Sequence, residues 1–141
     1  MPLFIKFVLL CFALLTAGYF ISSSTSSSAK LVSKRWRVVT LTQIPSPFDK
    51  LEGEELQQAR LVFEQKILSS YINFMQQGNY ESRLLSDWES YGIWSIDKEK
   101  LTLEYNGRKE VLFVKELTET KMILNRKRVG EDLTVVLTPI V

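Results

Sequence analysis

INFMQQGNYES (residues 72–82), YGIWSID (91–97), KLTLEYNGRKEVLFV (100–114) and KMILNRKRVGEDLTVVL (121–137) are short alternating segments cut by tight-turn residues. Their apolar positions recur at every second residue, so each segment turns one face to a core and the other to water. Asn106-Gly107 is the sharpest local signal. Both residues tolerate positive φ, as a two-residue type I′ hairpin demands, and the turn pairs Lys100–Tyr105 with Arg108–Lys115. Gln77-Gly78, Ser86-Asp87, Asp97-Lys98-Glu99, Thr118-Glu119-Thr120 and Gly130-Glu131-Asp132 mark the other reversals. Between them lie strands at Tyr71–Met75, Asn79–Leu85, Tyr91–Ile96, Met122–Lys127 and Leu133–Thr138, joined by hairpin-length links. The pattern is an antiparallel meander and predicts a small closed barrel.

Upstream, RWRVVTLT (Arg35–Thr42) supplies a first strand with Trp36, Val38 and Thr40 on one face. Ile44, Pro45 and Pro47 end it, because proline cannot donate to a ladder. Ser46-Pro47-Phe48-Asp49 and Asp49-Lys50-Leu51-Glu52 each place an acid three residues after an oxygen acceptor, a helix-start signal. A helix of about four turns follows, Glu54–Ser69, with Leu56, Ala59, Phe63 and Ile67 as its buried stripe and a place over one barrel end. The expected fold is mainly β: an eight-stranded antiparallel up-and-down barrel with one helix between strands 1 and 2.

Ahead of this domain, Phe7–Ile21 runs 15 residues without a charge, preceded by Lys6. The run lacks an amphipathic face, which argues against a core helix and for a secretory signal or a single-pass membrane anchor. Ser27 and Ala29 permit a small-x-small cleavage site, so both fates stay open, and both imply export across the inner membrane to the periplasm or cell envelope. Ser22–Ser28, six serines and one threonine, reads as a flexible tether. The expected organisation is therefore leader 1–21, linker 22–30 and barrel domain 31–141.

Composition removes several function classes. Lys and Arg number 18 against 16 Asp and Glu, a net charge of +2, which gives no field to attract nucleic acid. There is no His, hence neither the commonest general base nor the commonest metal ligand. The single Cys11 lies in the leader. Asp87 and Glu89 flank Trp88, and Asp97 and Glu99 flank Lys98; alternate carboxylates in turns point into water, keep ordinary acidity and make poor general acids. Gly130-Glu131-Asp132 lacks the alternate ligands of a calcium loop. Neither catalytic residue, metal nor cofactor is expected, and the chain does not read as an enzyme. Lys121, Arg126, Lys127 and Arg128 form a basic patch, read as a solvated strand guarding against edge pairing.

An ordered set of residues carries a resemblance. Trp36 opens the first strand; Phe74, Gly78 and Tyr80 make a Phe-x-x-x-Gly-x-Tyr hairpin; Gly92 and Trp94 precede Leu101 and Leu103; Glu116, Leu117 and Thr118 lead into another apolar strand. About two-thirds of the exported domain thus resembles the small lipocalin-like domains of bacterial envelope proteins, particularly those of Bacteroidetes. The resemblance implies an up-and-down barrel and little about activity. The helix at Glu54–Ser69 is longer than the link usual there. Eight strands enclose room for packed side chains or one small ligand. Trp36, Phe74, Tyr80, Trp94 and Phe113 are the candidate interior, lining either a dry core or an apolar pocket. Two readings follow: a binding or accessory domain for a small hydrophobic ligand, or a filled barrel that contacts another envelope protein through exposed Ile93, Ile123 and Val136.

Overall fold

Residues 27–85 and 89–141 are described by the computed structural model. Strands β1 (Arg35–Ile44), β2 (Tyr71–Phe74), β3 (Asn79–Arg83), β4 (Ser90–Asp97), β5 (Lys100–Tyr105), β6 (Arg108–Leu117), β7 (Met122–Arg128) and β8 (Glu131–Pro139) follow one another around a closed barrel. A helix, α1 (Gly53–Leu68), occupies the β1–β2 connection. Closure is made by β8 running antiparallel along β1, from Trp36 opposite Pro139 to Ile44 opposite Asp132. In such a ring every strand is paired on both sides, so no edge needs protection.

The turns set the register. Asn106 and Gly107 both have positive φ and place Tyr105 opposite Arg108, as a type I′ turn requires. The last hairpin turns one residue earlier than its sequence predicts. Val129-Gly130 forms the reversal, with Arg128 opposite Glu131, so β8 begins at Glu131. Two irregularities break strict alternation, between Val38 and Thr40 in β1 and between Val114 and Glu116 in β6. An extra residue in one strand moves all later side chains to the other face. Accordingly Trp36 and Val38 point inward as expected, but Thr40 is exposed and Leu41 and Gln43 face the interior instead.

One end of the barrel is sealed. Phe74 and Trp94 pack edge to face with ring centroids 5.2 Å apart, and Trp36, Leu101 and Met122 are fully buried around them. The Trp94 Nε1–H donates to the Met75 carbonyl at 2.8 Å, so the ring buries its apolar area without stranding its donor. Residues 27–32 are helical and close the floor: Val32 is completely buried and its carbonyl accepts the Trp36 Nε1–H at 3.0 Å. Ala29 packs on the same core. The described part of the serine-rich segment is therefore packed helix, and ordered structure begins ahead of Leu31. The expected leader, 1–21, lies outside the described residues. Among those described, no helix is long and apolar enough to cross a membrane.

Helix α1 starts at the opposite end of the barrel. Leu56, Ala59, Phe63 and Ile67, the stripe that the spacing predicts, are half-buried, as is Lys66, but none is fully buried. Phe63 meets Phe48 edge to face at 5.3 Å, and Ile67 touches the core. The N-cap residue is Glu52, without a side-chain cap bond; Ser46 instead accepts the backbone N–H of Phe48. At the other end, buried Ser70 takes the Leu85 N–H on its hydroxyl at 2.9 Å, tying the helix terminus to the segment after β3.

Candidate functional site

Above the aromatic floor the barrel is hollow. A cavity of about 360 Å³ runs toward the end where β1 leaves and β2 returns, and toward the β5–β6 and β7–β8 turns. That volume lies in the usual range for small-molecule sites. Its wall is aliphatic: Val38, Leu41, Leu103, Leu112, Leu124 and Val135 alternate inward from five strands. Polar groups gather toward the mouth, where Gln43, Ser82, Ser90, Tyr105, Glu110 and Arg126 line it.

The hairpin register explains which residues arrive there. Leu101 faces the core, so its partner Leu112 does too, and Leu103 stands opposite Glu110. In a closed antiparallel pair, directly opposed residues share a face. Glu110 is thereby turned inward, and Arg126 reaches it from β7. The Arg126 guanidinium donates to Glu110 at 2.6 Å and to Glu131 at 2.9 Å, and Arg128 lies 3.6 Å from Glu110. The Arg126 side chain is only 21% exposed. Burial alone would lower its pKa, but the hydrogen bonds and charges of Glu110 and Glu131 outweigh burial and hold it above the ordinary value.

Of the five interior aromatics expected from sequence, four are buried inside. Trp36, Phe74 and Trp94 make the floor; Tyr80 alone lines the cavity. Phe113 is a correction: it is 39% exposed on the outer face, because the Asn106-Gly107 turn puts it opposite Lys100 and hands the interior place to Leu112. The basic patch is a second correction. β7 lies between β6 and β8 and has no edge to guard, and Arg126 is half-buried and ion-paired rather than solvated. Glu89 departs from ordinary carboxylate behaviour as well. The Tyr91 hydroxyl at 2.6 Å and the Tyr71 hydroxyl at 3.1 Å both donate to it, in that order of effect, and lower its pKa on the exposed surface. Asp87 lies outside the described residues, and Asp97 and Glu99 are exposed as expected.

Tyr80 is 3% exposed, and its ring lies against Gly92 on β4. Burial first, then Tyr105 and Glu110, push its pKa up to about 12. A folded-state pKa above the ordinary tyrosine value stabilises the fold in full below pH about 10, and this contribution is lost as pH rises through the folded value. Spectrophotometric titration of the phenols should show a final ionisation near pH 12 that disappears in Tyr80→Phe. A variant whose titration curve keeps that final step would place the high-pKa phenol elsewhere.

No protein-family model matches the sequence, and no curated protein is significantly similar to it. Two solved structures share its architecture. A lipocalin-like protein from Bacteroides uniformis superposes with a TM-score of 0.53 at 12% identity, covering 78% of this chain and 99% of that one. A DUF4847 family protein from Bacteroides vulgatus gives a TM-score of 0.53 at 13% identity, covering 77% and 93% of the two chains. At such identity the likeness is one of fold, and the fold is a lipocalin-like barrel.

Proposed function

We propose that this lipocalin-like barrel is a binding protein that takes one small hydrophobic ligand into its cavity, and that it acts outside the inner membrane. The observation that carries the reading is the hollow itself. A filled barrel, the alternative, calls for a dry core to the top, whereas aliphatic side chains here surround about 360 Å³ beneath a polar mouth. At protein packing density that space suits a molecule of about 15 non-hydrogen atoms. The apolar run Phe7–Ile21 after Lys6 supports export, either as a cleaved signal or as a single-pass anchor. Binding rather than catalysis fits a wall of leucine and valine whose one charged cluster is internally paired.

The test is saturable uptake of N-phenyl-1-naphthylamine by the purified chain, read as fluorescence enhancement. Leu124 and Val135 stand side by side in the wall. The double variant Leu124→Trp/Val135→Trp should keep the circular-dichroism spectrum and weaken uptake by about tenfold or more, since added rings occupy the hollow. Equal uptake by both proteins would move the binding elsewhere.

A further inference from the structure

Resting on that reading of the cavity, we infer that the ligand is an uncharged amphiphile, with an alcohol, ester or amide head, because the buried Tyr80 hydroxyl offers a neutral partner while the formal charges at the mouth cancel one another. Two guanidinium groups, Arg126 and Arg128, meet two carboxylates, Glu110 and Glu131, within 2.6–3.6 Å. Their formal charges cancel. Among the described residues the buried Arg126 Nε–H has no partner and is open to a neutral oxygen acceptor, but a fatty-acid anion placed there would add a net negative charge beside Glu110 and Glu131. An uncompensated charge in such surroundings is costly. An ammonium head meets the converse problem, since both acids are occupied.

A neutral head avoids both penalties. Tyr80 lines the same cavity, near enough to Tyr105 and Glu110 to be influenced by them, and its hydroxyl can donate to or accept from a ligand oxygen. Its elevated pKa keeps it protonated across the physiological range. Ser82, 6% exposed, lines the same cavity as a further hydroxyl, two positions along β3 from Tyr80. Shape supports the arrangement: Gly92 has no Cβ to block the Tyr80 ring, whose Cε1 would stand 2.7 Å from one. The phenol is thus held in the wall by space cleared for it.

The experiment compares three ligands of equal chain length, 1-dodecanol, laurate and dodecylamine, as competitors for bound N-phenyl-1-naphthylamine on the full chain, with the Leu124→Trp/Val135→Trp variant as the blank for uptake outside the cavity. Dodecanol should compete at about tenfold lower concentration than either charged analogue. Glu110→Gln leaves Arg126 with one carboxylate and should narrow the gap between laurate and dodecanol by about tenfold; Glu131→Gln gives the same test should the first variant fold poorly. Laurate competing as well as dodecanol, or no response of laurate to either substitution, overturns the assignment of the head group but leaves the cavity as a binding site. Failure of all three to displace a probe that the blank does not bind also overturns it, and leaves the cavity open to a ligand of another shape. Failure of the probe itself to bind the unaltered chain removes the binding reading as a whole.

Discussion

Gly92→Ala should destabilise the barrel by about 3 kcal/mol, the upper end of what overpacking by one methyl group costs. A Cβ at this position would overlap the Glu104 carbonyl oxygen on β5 and stand 2.7 Å from the Tyr80 ring. The first of these is backbone in the adjacent strand and cannot swing aside without parting β4 from β5. The second belongs to a side chain that is itself buried. Gly92 does not have positive φ, so conformational strain plays no part and the whole effect is steric. The urea midpoint measures it. Gly53→Ala, where nothing lies within 4 Å, provides the contrast of positive φ without crowding. A midpoint for Gly92→Ala equal to that of the unaltered protein would mean β4 and β5 are less closely opposed than described.

Trp36→Ala should cost about 3–5 kcal/mol, enough to remove most of the roughly 5–15 kcal/mol that holds a domain together. The ring is fully buried, and truncation would also remove one of the two donors to the Val32 carbonyl, leaving it the Lys34 N–H. Trp36→Phe separates the two contributions. It keeps much of the ring and forfeits the hydrogen bond, for an added loss of about 1 kcal/mol. Denaturant unfolding followed by near-ultraviolet circular dichroism reports both. If Trp36→Ala unfolded at the same midpoint as Trp36→Phe, the floor would not be what secures this end. Because Trp36 does not line the cavity, any loss of ligand in these variants should track loss of folded protein.

Much of the barrel was legible because its signals are local. Two-residue turns such as Asn106-Gly107 need special φ values, and few residue types supply them, so the meander and its order could be read directly. The helix stripe Leu56, Ala59, Phe63 and Ile67 was legible for a similar reason, through its period. The interior was harder. Val111, Leu112, Phe113 and Val114 are apolar on both faces, so alternation cannot say which pair points in; size favours Phe113, while hairpin register favours Leu112. Counting outward from the turn would have found Leu112 and also Glu110, an acid that composition alone consigns to solvent. Arg126 was hidden in a run of basic residues for the same reason. The β1 irregularity could not be foreseen, since Val38, Val39 and Thr40 suit a strand in either phase. The packing of Ala29 and Val32 on the core was not legible, since serine favours no single conformation and only the folded contact shows it.

The floor has a further consequence. The Ile140 N–H donates to the Arg35 carbonyl at 2.8 Å, so the start of β1 and the stretch just past β8 are neighbours, on the side away from the mouth. The described chain thus enters the barrel at Arg35 and leaves it at Ile140 side by side, and both crossings lie away from the rim where the hollow opens.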